Sequence, residues 1–128
     1  CNRVNTNMIK IFLIAFGGGL GASARYLVND LFKATYIFML PSGIMLINFI
    51  GCFCIGIGMA QISDYKSNAY FFLIVGFLGS FTTMSAFSQQ TIEMLYNGKD
   101  LNALIYVLAS IASCLIGTYL AYSLFKTT

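Results

Sequence analysis

The sequence predicts an all-α membrane protein of four transmembrane helices, and three observations carry that prediction. Of its 128 residues, 59% are hydrophobic and only 9% charged, with a mean hydropathy of +0.82; an ordinary soluble domain has about 25% charged residues. Four apolar stretches each approach or exceed the roughly 20 residues a helix needs to cross a bilayer core. The connections between them are short and hold the turn-forming and charged residues that the stretches lack. A water-exposed surface of this composition would aggregate, so lipid is its natural solvent. The stretches read as helices and not barrel strands, because they are continuous and lack a two-residue alternation.

The first span is predicted over residues 9–31. It is too long for a signal peptide and lacks a cleavage-type ending. Its run G-G-G-L-G-A-S-A sets Gly17 and Gly21, and Gly18 and Ala22, at the four-residue spacing that lets helices approach closely. The second span covers 43–62, after the only proline, Pro41, and adds Gly51, Gly56 and Gly58 to the small-residue positions. The third covers 70–96 and the fourth 101–125, with S-D-Y-K-S-N-A and N-G-K-D as the turns on either side of the third. No internal repeat is visible, and residues 1–128 read as one four-helix domain whose consecutive helices run antiparallel.

With four spans, both ends and the middle turn share one side. That side holds Arg3, Lys10, Lys66 and Lys126, against Lys33, Lys99 and, near the interface, Arg25 on the other. The bias is a weak positive-inside signal. It fits either one orientation with the ends cytoplasmic or insertion in both orientations, and the second would allow an inverted pair of subunits.

Composition also excludes functions. The chain has no histidine, which removes a histidine base or metal site. Cys52, Cys54 and Cys114 fall in apolar segments as small packing residues, and with Cys1 they form no zinc-type set of paired cysteines. A net charge of +3, scattered along the chain, does not make a nucleic-acid surface. No nucleophile–base pair or cofactor loop points to an enzyme, and the triple glycine follows no soluble strand that would make it a phosphate loop.

Function must therefore lie in the polar residues that lipid tolerates poorly. Arg25 stands late in the first span. A cation at a helix centre costs about 2.5–3.5 kcal/mol on insertion scales and less near the interface. Its position favours an interfacial anchor over a vestibule cation that attracts anions. Asn48, within L-I-N-F-I-G, needs partners. It is either interhelical glue or a pair of amide donors for a permeating anion.

The third span holds Gly76, Gly79, Ser80, Thr82, Thr83, Ser85, Ser88 and Thr91 in its middle. Hydroxyls compete for backbone bonds there and glycine adds freedom, so the composition favours a broken third helix near 79–83 over a continuous one. A break at membrane depth frees carbonyls for a cation and exposes a positive helix N-terminus. In the fourth span Tyr106, Ser110, Ser113 and Gly117 make a small and polar stripe, suited to a hydrated path or to another helix.

Three segments together resemble the Fluc family of small dual-topology fluoride channels: G-G-G-L-G-A-S-A-R-Y (17–26), P-S-G-I-M-L-I-N-F-I-G (41–51) and G-F-L-G-S-F-T-T-M-S-A-F-S (76–88). The resemblance covers essentially the whole chain. It implies an antiparallel homodimer in the cell inner (plasma) membrane, with two fluoride pores, passive fluoride export and a central structural sodium ion. The Gly79 and Thr82 carbonyls of both subunits would hold the sodium. Asn48 would line the pore, Phe87 would belong to the family's phenylalanine box, Tyr106 and Ser110 would stand near the pore, and Thr83, Ser85 and Ser88 would supply hydroxyls. Two positions depart from the family pattern. Met84 replaces the first aromatic of the box, and Gln90 stands where an acid is usual. Met84 leaves room for a heteromeric partner that carries the missing phenylalanine. Two other readings are a proton-coupled four-helix drug or cation exporter, for which Glu93 near the end of the third span would be the coupling acid, and a non-transporting membrane assembly subunit.

Overall fold

The structure is a computed structural model that describes residues 2–32, 36–37 and 40–126; Cys1 and Lys33, counted above, lie outside the described residues. Among the described residues, four helical spans are long and apolar enough to cross a membrane. The first is α1 (Asn2–Leu31). It begins well before residue 9, because its polar opening turns continue the helix past the lipid: 30 residues reach ~45 Å, against ~30 Å of hydrocarbon. A two-residue antiparallel ladder follows, β1 (Tyr36–Ile37) on β2 (Leu40–Pro41), with Tyr36 opposite Pro41 and Ile37 opposite Leu40. Directly after it comes α2 (Ser42–Gln61).

The third span has three pieces: a π-helical stretch Tyr70–Leu78, a short α turn α3 (Gly79–Phe81), and α4 (Met84–Tyr96). The fourth span is α5 (Asp100–Phe125). The turn between α4 and α5 closes as a Schellman motif. Gly98 takes φ +68°, its N–H donates to the Leu95 carbonyl, and the Lys99 N–H donates to the Met94 carbonyl. Glycine suits that left-handed position because it has no Cβ to clash.

Consecutive spans run antiparallel, yet the most extensive packing is between alternate, parallel ones: α2 on α5, and α1 on the π-helical stretch. The first pairing is tied at one end by the Gln61 side-chain amide, which donates to the Phe125 carbonyl at 2.9 Å. In the second, Gly17 and Gly21 bring α1 against the backbone at Phe72 and Phe77, and Lys10 Nζ stands 4.8 Å from the centre of the Phe71 ring. The start of α1 therefore shares a side with the start of the third span, and the end of α2 with the end of α5.

A buried cluster of Leu40, Ile44, Ile47, Phe81, Phe87, Met94, Ala103 and Tyr106 joins β2, α2, the third span and α5. Only 11% of the first span's most apolar stretch is buried, against 28% for the second and third, so α1 is peripheral. Leucine, isoleucine and phenylalanine side chains cover much of the outer surface. Lipid solvates such a surface at no cost, so the association of the helices rests on close packing and interhelical hydrogen bonds.

Candidate functional site

The functional geometry starts where the third span stops being helical. Phe81 ends α3, and Thr82 (φ −73°, ψ 154°) and Thr83 (φ −149°, ψ 118°) are extended before α4 begins at Met84. The break is narrower than the 79–83 region marked by composition, since Gly79 is still helical at φ −61°, ψ −32°. Asn48 of α2 pins it. The Thr83 N–H donates to Asn48 Oδ1 at 2.8 Å, and Asn48 Nδ2 donates to the Thr83 carbonyl at 3.1 Å. A side-chain amide thus serves the backbone group that the helix leaves unpaired, which lipid could not do. In a continuous helix the Thr83 N–H would bond to the Gly79 carbonyl, so the diversion to Asn48 releases that carbonyl. Thr83 also caps α4, its Oγ1 accepting from the Ala86 N–H at 3.3 Å. Gly51 faces Thr82, where a Cβ on α2 would strike Thr82 Cγ2.

Beside the break lies a cavity of about 290 Å³. Asn48 and Cys52 of α2 form one wall, Thr82, Thr83, Met84 and Phe87 a second, and Ser110, Ile111, Cys114 and Leu115 of α5 a third. Most of this lining is apolar, with a few polar groups converging on it, as in small-ligand sites generally. One of those groups has no partner. Ser110 is 4% exposed, and its Oγ is buried without a hydrogen bond. Behind the wall, Tyr106 is fully buried and stacks on Phe87, ring centres 5.3 Å apart. Its hydroxyl donates to Gln90 Oε1 at 2.7 Å.

Comparison with known proteins identifies the family. The family described as CrcB-like protein, Camphor Resistance (CrcB), matches residues 12–122. The chain belongs to the CrcB family. A relative from Parabacteroides distasonis, named a fluoride-specific ion channel FluC, is 36% identical over 93% of this chain and 94% of its own length. Fluoride-specific ion channel FluC 1 of Staphylococcus saprophyticus is 37% identical over 88% of this chain and 99% of its own. FluC 2 of Clostridium acetobutylicum is 38% identical over 85% and 92% respectively.

Within this CrcB chain the candidate residues named above divide. Asn48, Thr82, Thr83, Met84, Phe87 and Ser110 meet at the cavity, and Tyr106 supports it from behind. Ser85 stands at the edge of the break, its hydroxyl 3.0 Å from that of Thr83. Ser88 is exposed and donates to the Met84 carbonyl at 2.9 Å. Gly79 precedes the break, and half-buried Arg25 lies outside the cavity wall. The small and polar stripe on α5 also divides. Ser110 faces the cavity, whereas the Ser113 hydroxyl donates to the Ser110 carbonyl at 2.9 Å and Gly117 abuts the Phe49 ring. Besides the apolar Ile111 and Leu115, two thiol-bearing lining residues escaped the sequence reading, Cys52 and Cys114. Each sits four positions, one helical turn, after a polar cavity residue, Asn48 and Ser110, and that spacing was the available signal.

The Tyr106–Gln90 bond gives a prediction for the CrcB fold. Gln90→Leu is expected to lower the melting temperature in detergent, because it strands a buried hydroxyl at a cost of about 1–3 kcal/mol. Gln90→Glu keeps an acceptor and should melt near the parent. Equal destabilisation by both substitutions would refute the role given to the hydrogen bond.

Proposed function

We propose that this CrcB chain is a fluoride-selective channel of the cell inner (plasma) membrane, passing fluoride passively through the cavity beside the Thr82–Thr83 break. The observation that carries the reading is the Ser110 hydroxyl, buried in the cavity wall without a protein partner. A buried unpaired hydroxyl costs about 1–3 kcal/mol in protein mutational data, so its retention is explained by a ligand that accepts from it. Asn48 adds a second donor: Thr83 takes one of its two amide hydrogens, and the other is left for an anion. Fluoride is small and strongly hydrated, and short contacts to hydroxyl and amide donors replace its water. The Phe87 ring supplies an apolar wall whose edge is electropositive, favouring an anion over bulk water. Binding of this strength stays reversible, as conduction requires.

The functional unit in this reading is an antiparallel homodimer with two pores. Gly79, Met84, Ser85 and Ser88 are all exposed on the single chain, Met84 at 69%. Broken backbone at membrane depth needs protein or water over it, and a second copy supplies the cover. The Gly79 and Thr82 carbonyls suit a hard cation such as sodium, which takes oxygen ligands. Two carbonyls from one chain are too few for a full shell, and a second subunit would double them. Such an ion would add positive potential beside the pores. Glu93, the acid a proton-coupled exporter would need, is exposed and lies outside the cavity wall.

Proteoliposomes loaded with potassium fluoride test the reading directly. Efflux at a fluoride electrode with little chloride efflux is expected from the purified single chain. Absence of fluoride flux from folded protein would defeat the proposal, and flux appearing only with a second, different chain would defeat the homodimer. Ser110→Ala is expected to leave the melting temperature unchanged or raised while slowing efflux tenfold or more. That factor follows from the about 1.5–3 kcal/mol of a hydrogen bond to a charged group. A hydroxyl that served packing alone would show the opposite pattern.

A further inference from the structure

We propose that Cys52 and Cys114 form a two-coordinate binding site for a soft, thiophilic cation such as silver(I), held between α2 and α5 at the cavity wall. Both side chains line the same cavity, one from each of the two helices that pack most extensively, α2 and α5. Both are free thiols and partly exposed, which gives a cation from the cavity access to them. The Thr118 hydroxyl of α5 donates to the Cys52 carbonyl at 2.9 Å, holding the two helices in register beside the pair.

The donor set selects the ion. Thiolates favour soft metals. Among the described residues no three His, Cys, Asp or Glu side chains could hold a metal together, and the chain has no histidine. A tetrahedral zinc site is therefore out of reach, whereas silver(I) accepts two sulfurs in a line. Cys54, two residues along α2, is absent from the cavity wall and cannot substitute for Cys52. On binding, each thiol releases its proton to water, one metal–sulfur bond forms at each cysteine, and the cation sheds the waters they replace. No electron is transferred.

The site itself does not depend on the fluoride reading; the consequence for flux does. An ion bridging the two sulfurs would stand one turn from both Asn48 and Ser110, and it would obstruct the path if the cavity conducts.

The test uses the full chain with Cys1→Ser, in chloride-free nitrate buffer. One equivalent of silver nitrate is added, unbound metal is removed, retained silver is measured, and the cysteines are mapped by alkylation. About one silver per chain is expected, with Cys52 and Cys114 protected together and Cys54 alkylated. Cys52→Ser and Cys114→Ser should each reduce retention at least tenfold, and Cys54→Ser should not. Parent-level retention by either single variant would overturn the proposal. So would protection of one cysteine alone in the unsubstituted pair, a result that requires no variant to fold. Fluoride efflux is then compared before silver, after silver and after a chelating dithiol. Reversible loss of flux supports an ion in the path. Silver retained at both sulfurs with flux unchanged upholds the metal site and counts against the cavity as the conduction route.

Discussion

Asn48→Asp is expected to slow fluoride efflux by about a hundredfold or more while leaving the proposed dimer intact. The substitution keeps the oxygen that accepts from the Thr83 N–H but removes the nitrogen that donates to the Thr83 carbonyl. It also removes the spare amide donor from the cavity wall. A carboxylate there would oppose an anion about 4 Å away by about 4 kcal/mol at an effective dielectric constant near 20, close to three powers of ten in rate. A protonated carboxyl loses less but still presents one donor in place of two. Fluoride-electrode efflux, with crosslinking to follow the dimer, separates the two roles of this residue. Undiminished flux would remove Asn48 from the pore. Asn48→Leu should fail differently. It strands both backbone groups of Thr83, at about 1–3 kcal/mol each, and should lower the yield of folded protein as well as the flux.

Gly21→Val should disrupt the fold itself. Even a single Cβ on Gly21 would overlap the Phe77 carbonyl oxygen and stand 2.9 Å from its carbon and 3.0 Å from Phe77 Cα. These are backbone atoms, which cannot swing aside as a flexible side chain could. Overpacking of this kind costs about 1–3 kcal/mol or more, exceeding the up to ~1 kcal/mol that a helix gains when alanine replaces glycine. Because lipid gives helices no hydrophobic drive to associate, lost packing is not made up elsewhere. Gly19 is the internal control. Nothing lies within 4 Å of its Cβ position, so Gly19→Ala should melt at or above the parent while Gly21→Ala melts lower and Gly21→Val lower still. The check is thermal unfolding in detergent. Parent-like melting of Gly21→Val would refute the α1 contact, and a Gly19→Ala as damaging as Gly21→Ala would place a second chain against the outer face of α1.

Composition and periodicity determined the four spans, since burying unbroken apolar length in lipid leaves the backbone only the helix as a way to pair its own polar groups. They also marked the third span as the place where that rule is bent, because glycine and six hydroxyl residues are poor helix interior. The family followed from three joined motifs. What one chain's letters could not decide was how each polar group is spent. Whether Asn48 was glue or pore lining was open in the sequence. In the fold it binds both backbone groups of Thr83 and also faces the cavity. Ser110 and Ser113 looked alike on one stripe, yet one hydroxyl is paired at 2.9 Å and the other is not. Cys52 and Cys114, 62 residues apart (114 − 52), read as separate packing residues until α2 lay parallel to α5. These outcomes depend on which spans pack together and in what register. Lipid screens only for apolar surface, and many helix pairings satisfy it equally; close approach at small residues and a few interhelical hydrogen bonds select among them.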